Sequence, residues 1–117
     1  MVGAEVSARL GEAMRLRQSG ALAEAEGICR RVLAADAGIP DAWNLLAQIL
    51  HQRGDLDAAA LAAERATSLR PQIPPYWLTR GGIAQAQRRV HDAQTCFRRA
   101  IELDAGFAEA HFRLGLS

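Results

Sequence analysis

Lysine is absent from the 117 residues, so all 14 basic side chains are arginines, set against 13 acidic ones. That usage reads as codon preference rather than as selection for forked hydrogen bonding. A formal net charge of +1 excludes a nucleic-acid or membrane-surface role driven by bulk charge. Aromatics make up only 5% of the chain, and alanine dominates its hydrophobic half. A core built this way gains little apolar area per side chain and depends on close helix contact. No apolar run approaches transmembrane length. The opening Met-Val-Gly-Ala-Glu-Val-Ser-Ala-Arg lacks the basic-then-apolar order of a signal peptide.

Cysteine is nearly missing too. Cys29 and Cys96 are expected on helices that are not neighbours, and even neighbouring packed helices stand about 8–10 Å apart. A bridge needs Cα atoms within about 7 Å. Two isolated thiols suit a reducing compartment, so the expectation is a soluble cytoplasmic protein.

Catalytic patterns are equally scarce. There is no glycine-rich phosphate loop, no Cys-x2-Cys, no His-x3-His, and no carboxylate pair on one face in a pocket-like setting. His51, His91 and His111 fall at unrelated positions of different helices and cannot converge on one metal by periodicity. The reading is a chain without metal or cofactor that is not an enzyme.

What is present is helical order. Residues 40–71 read as two short helices back to back. Trp43, Leu46, Ala47 and Leu50 make one apolar face, Gly54-Asp55 breaks the chain, and Leu56, Ala59, Ala63 and Ala66 make a second face that Pro71 ends. Pro40-Asp41 suits a first helical turn, Gly54 a tight turn, and Asp55 a cap. Such a hairpin cannot bury its apolar face alone; it needs copies on either side. The copies come at a step of 34: Trp43 and Trp77; Ala25, Ala59 and Ala93; Leu22, Leu56 and Val90; Ile39, Ile73 and Phe107; Gly20, Gly54 and then Arg88.

This spacing and these residue types resemble the tetratricopeptide repeat, with its Trp-x2-Leu-Gly-x2-Tyr, Ala-x3-Phe and closing Pro. The pattern stands here as Trp43, Leu46, Ala47, Leu50, Ala59, Ala63 and Pro71. It then recurs as Trp77, Gly81, Ala84, Ala93, Phe97 and Ala105. Ala63 departs from the large residue, Arg80 from the leucine and Ala105 from the proline. The resemblance covers almost the whole chain. It implies an all-α, right-handed α-solenoid of helix-turn-helix repeats in a single domain, 1–117. Repeats run over about 6–39, 40–73 and 74–107, with a partial fourth at 108–117.

Arg9 and Glu12 stand where Trp43 and Leu46 fall later, as an N-terminal capping repeat would have it. At the other end the fourth repeat lacks its second helix. Phe112, Leu114 and Leu116 are expected to be partly bare, an assembly surface or the sign of a fragment of a longer protein. Similar bacterial repeats often continue into a glycosyl- or sulfotransferase domain. Gly81 shares a column with Ala13, Ala47 and Gly115, where two helices of one repeat approach closely. Gly82 has no such reason and reads as drift, with cleared space on the inner surface as the alternative.

The resemblance implies that a protein or peptide partner binds the concave face lined by the first helices. The expected contacts are Leu10, Met14, Arg17, Asn44, Gln48, His51, Gln52, Leu78 and Gln85, with Ser7, Asp41, Pro75, Glu109 and Phe112 in the same columns. Asn and Gln both donate and accept, which suits an extended peptide backbone. Asn44 and Gln48 lie one turn apart on one face. Trp43 and Trp77 are expected to pack between helices. Repeats of this family that grip the acidic tail of chaperones use basic and asparagine residues at five inner positions. Leu10, Met14, Leu45, Pro75 and Thr79 stand there, and none can clamp a carboxylate. Arg17 is the one arginine expected in the groove, too few for RNA. Arg30-Arg31, Glu64-Arg65 and Arg98-Arg99 are expected on the convex side, solvated. The expectation is therefore a protein-interaction module with no nucleic-acid or membrane partner, and with a homo-oligomer through the C-terminal end as the competing role.

Overall fold

The computed structural model describes residues 2–116, the side chain of Leu116 excepted. Among them are seven α-helices and no strand: α1 (Gly3–Gln18), α2 (Leu22–Ala35), α3 (Pro40–Gln52), α4 (Leu56–Leu69), α5 (Pro74–Ala86), α6 (Val90–Leu103) and α7 (Ala108–Leu116). Each helix packs on the next, and α3 also packs on α1 and on α5. The odd-numbered helices thus form one layer and the even-numbered ones a second, an all-α helical-repeat solenoid. None of the described helices is long and apolar enough to cross a membrane.

Local chemistry sets the helix ends. Pro40 and Pro74 occupy first turns, where no amide partner is lost. Asp55 caps α4 by accepting from the Ala58 amide at 3.4 Å. The turn after each first helix is the same object three times. Ala21 N donates to Leu16 O, Asp55 N to Leu50 O and Arg89 N to Ala84 O, at 2.9, 3.0 and 2.9 Å. These bonds close the helix C-termini over a left-handed residue. Gly20 and Gly54 fill that position with φ of 89° and 83°, and Arg88 does so at 62°. Arginine carries a Cβ that this conformation disfavours.

The core is made of small side chains at the helix crossings. Ala13, Ala25, Cys29, Ala47, Ala59, Ala63 and Ala66 are fully buried, and Leu46, Ile49, Ile83 and Phe97 are its largest members. Both cysteines are buried and free. Burial, then Glu26, pushes the Cys29 thiol up to about 11, and burial likewise raises Cys96. Neither is poised as a thiolate.

Trp43 and Trp77 are half-buried rather than enclosed. Each lies under a guanidinium, Arg65 at 5.8 Å and Arg80 at 5.3 Å from the ring centre. Each indole Nε1 donates to the loop before its helix, Trp43 to Ala37 O and Trp77 to Pro71 O, both at 2.7 Å. His111, in the same column, holds its Nε2 at 2.8 Å from Ala105 O. Because a carbonyl only accepts, Nε2 carries the proton there. The column thus ties α3, α5 and α7 each to its preceding loop, whichever ring occupies it.

Candidate functional site

The first helices leave a hollow of about 200 Å³ on their shared face. Arg17 enters from α1; Gln48, His51 and Gln52 from α3; Leu78, Thr79 and Gly82 from α5; Glu109 and Arg113 from α7. Six of the residues expected from the sequence therefore meet there: Arg17, Gln48, His51, Gln52, Leu78 and Glu109. Helical periodicity accounts for the convergence, because positions one turn apart on parallel-layered helices share a face.

The other expected residues lie elsewhere. Leu10 is half-buried against the main core, while Met14 is 46% exposed and outside the hollow. Asn44 and Gln85 are half-buried outside it. The Asn44 Oδ1 is buried with no hydrogen-bond partner among the described residues. Leu45, reckoned above among five inner positions, is 5% exposed and belongs to the core. Asp41 is committed as well: its carboxylate accepts from the Tyr76 hydroxyl, linking α3 to α5.

Thr79 and Arg113 were not expected at the groove as partner contacts. Arg113 stands in the column of Leu45 and Thr79, one turn beyond Glu109, and that placement was the available signal. Its guanidinium lies 4.0 Å from where a Cβ on Gly82 would stand. The column of Gly82 holds Met14 and Gln48 in the earlier repeats. The missing side chain thus opens the floor of the hollow, and Arg113 reaches over it.

Polarity inside the hollow is uneven. Arg17 donates from Nη1 to Gln52 Oε1 at 3.0 Å, and its Nε is buried with no partner among the described residues. Arg113 approaches Glu109 at 3.6 Å. Burial, then the charge of Arg113, holds the pKa of His51 below 6.5. Among the described residues no three metal-ligating side chains cluster.

At the C-terminal end Phe112 is 65% exposed, as expected. Leu114 is not bare in the same way: it packs against Ala84, Ala93 and Phe97. The side chain of Leu116, the third of that trio, lies outside the described residues.

The opposite face carries clefts that repeat with the chain. One of about 300 Å³ is floored by Trp43, Leu46 and Leu50 and walled by Ala58, Leu61 and Ala62. The next, of about 190 Å³, has Trp77, Arg80 and Ala84, then Asp92, Thr95 and Cys96, each 34 residues on. They are gaps between successive second helices with small residues. Arg80, in the place of Leu46, packs over Trp77, donates to Thr67 Oγ1 at 3.1 Å and approaches Glu64 at 3.8 Å. Of the arginine pairs, Arg30 bonds Glu26 at 2.8 Å and Arg99 bonds Glu102 at 3.1 Å.

A tetratricopeptide-repeat family model matches residues 16–81, and a second matches residues 78–117. No curated protein matches the chain. Among solved structures, an O-GlcNAc transferase of Thermobaculum terrenum matches with a TM-score of 0.92 and 28% identity over 97% of the chain. The chain spans only 22% of that transferase. The first TPR of Spaghetti (RPAP3), bound to an HSP90 peptide, matches with a TM-score of 0.92 at 17% identity. That match covers 99% of this chain and 92% of the other. The type III secretion chaperone SycD of Yersinia enterocolitica, in complex with a peptide of the translocator YopD, matches with a TM-score of 0.88 at 14% identity. It covers 98% of this chain and 93% of the chaperone.

Proposed function

Because the chain belongs to the tetratricopeptide repeat family, we propose that it is a non-catalytic interaction module that binds a protein segment along the face of its first helices. One observation carries this reading. Arg17, Gln48, His51, Gln52 and Leu78, drawn from three helices, line a single open hollow with polar groups around an apolar floor residue. Gln48 and Gln52, one turn apart on α3, offer donors and acceptors to successive groups of an extended backbone. The Asn44 Oδ1, with no hydrogen-bond partner among the described residues, lies one turn before Gln48 on the same helix. A buried acceptor left unpaired costs about 1–3 kcal/mol, which a rotation toward a peptide amide would relieve.

Capture of short, end-blocked peptides from a synthetic library tests the reading. Asn44→Ala with Gln48→Ala is expected to abolish capture at unchanged helicity. Undiminished capture by that variant would sink it.

A second reading is assembly or domain docking through α7, favoured by the exposure of Phe112. Covering that ring contributes about 1.5–3 kcal/mol. Light scattering across a dilution series should then show a species larger than 12.6 kDa, and Phe112→Glu should remove it. A mass that ignores Phe112→Glu counts against assembly. Attachment to a larger catalytic protein belongs to this second reading.

A further inference from the structure

We propose that the repeat-two cleft on the face of the second helices is a docking site in its own right, separate from the groove. Its occupant is an acidic amphipathic helix of another protein, seating an aliphatic side chain in the cleft and a carboxylate on Arg65.

The first support is an apolar surface that the repeat does not require. Leu61 walls the cleft and is 66% exposed. A lone exposed leucine is ordinary. This one borders a hollow of about 300 Å³ floored by Trp43, Leu46 and Leu50. Where repeat two sets Ala58 and Leu61, repeat one has Glu24 and Gly27, and repeat three has Asp92 and Thr95. Stacking of the helices is thus met without a large apolar residue in those columns, and it does not account for the leucine.

The second is charge. The lining includes Arg30 and Arg65 and no carboxylate. The equivalent cleft of repeat three balances itself, with Arg80 and Arg89 against Glu64 and Asp92. In repeat two Arg30 is engaged by Glu26 at 2.8 Å, but Glu26 also accepts from Arg53 at 3.0 Å. Arg65 has no anion at all. Among the described residues it enters no ion pair and no hydrogen bond, and its guanidinium lies over the Trp43 ring. Its own helix offers Leu61, Ala62, Ser68 and Leu69 at the neighbouring surface positions, none of them acidic. A guanidinium stacked on a ring keeps its N–H edge for a carboxylate.

The third is the lack of acceptors. No side chain lining the cleft can accept a hydrogen bond, and the Trp43 Nε1 already donates to Ala37 O. An extended segment would bring backbone amides with nothing to receive them. A helix satisfies its own backbone and presents only side chains, so the cleft favours a helix.

The test presents the labelled 117-residue chain with alanine-rich peptides of about 20 residues, long enough to hold a helix and blocked at both ends. Positions on one helical face vary among Leu, Ser, Glu, Gln and Lys. The expected result is recovery of peptides that pair Leu with Glu on that face, with binding that weakens as salt rises. Leu61→Thr, which takes the residue of repeat three, should lose them. Arg65→Gln should weaken a recovered peptide about tenfold. Both positions are exposed, and circular dichroism establishes that each variant keeps its helices. A proline placed mid-peptide should remove binding. Asn44→Ala with Gln48→Ala should leave it intact. In Trp77→Phe the sole tryptophan is Trp43, whose emission should change when a recovered peptide is added.

An empty library, or recovered peptides without the Leu and Glu pairing, overturns the site. So does undiminished binding by Leu61→Thr, by Arg65→Gln or by the proline-broken peptide, and so does a silent Trp43. Loss in Asn44→Ala with Gln48→Ala would assign these peptides to the groove and overturn the cleft while supporting the groove reading. A mass above 12.6 kDa that Leu61→Thr restores to the monomer would put a second copy in the cleft, which overturns it too.

Discussion

Gly81 of α5 and Phe97 of α6 share one space: a Cβ added to Gly81 would stand 2.5 Å from Phe97 Cε1. The earlier repeats meet at the same crossing with Ala13 and Cys29, then with Ala47 and Ala63, small against small. Here glycine has no Cβ, and the Phe97 ring fills that space. Phe97 is 0% exposed.

Gly81→Ala is therefore expected to destabilise despite the helix propensity alanine brings. Overpacking a rigid core costs about 1–3 kcal/mol, against a propensity gain of about 1 kcal/mol. Gly82→Ala, one residue on, meets nothing beyond its own stretch of helix closer than 4.0 Å among the described residues and should stabilise by about 1 kcal/mol. Urea unfolding of both variants decides the matter. Equal shifts of one sign would show that the Gly81–Phe97 contact does not constrain the sequence. In combination with Phe97→Ala, Gly81→Ala should cost less than it does alone, since its methyl then enters a cavity.

Arg88→Gly should raise stability by about 0.5–1 kcal/mol, because glycine adopts the left-handed turn without the penalty a Cβ incurs. The position has φ of 62° and is surface-exposed, so no packing is lost. A lower urea midpoint for the glycine variant would contradict this.

Tyr76→Phe removes the hydroxyl that donates to the Asp41 carboxylate across α3 and α5. Burial, then this hydrogen bond, holds the phenol well above its ordinary pKa, so its hydroxyl keeps the proton it donates at neutral pH. The expected loss is about 1 kcal/mol, since Asp41 is exposed and returns to water. Asp41→Asn should cost less, because the amide oxygen still accepts. A Tyr76→Phe variant as stable as the parent would mean the bond contributes nothing net.

His51 makes stability pH-dependent. Its folded-state pKa lies below 6.5, lowered first by burial and then by Arg113, so the unfolded chain binds the proton more readily. The contribution of His51 is therefore present above about pH 6.5 and lost as pH falls through the folded value. Urea midpoints measured from neutral pH downward should fall less steeply for His51→Gln than for the parent. Identical slopes would remove His51 from the account.

Much of the fold was legible along the chain. The step of 34 placed Gly20, Gly54 and Arg88 in one column, and the three turns prove hydrogen-bonded alike. Pro40, Pro74 and Asp55 marked helix starts because each acts on the backbone beside it. The groove residues were legible only in part. Arg17, Gln48, His51, Gln52 and Leu78 converge because the period fixes a face, but Asn44 and Gln85 share that face without reaching the hollow.

Sequence by itself determined the repeat, its turns and the small-residue crossings, since these depend on local dihedral preference and on columns set by a constant step. Tertiary structure alone decided what the long side chains do. Arg80 stacks on Trp77 in a place meant for leucine, and Arg113 reaches back from α7 over Gly82. An arginine spans several residues' worth of surface on flexible torsions, so its endpoint depends on the depth of its neighbours and not on its own position in the repeat.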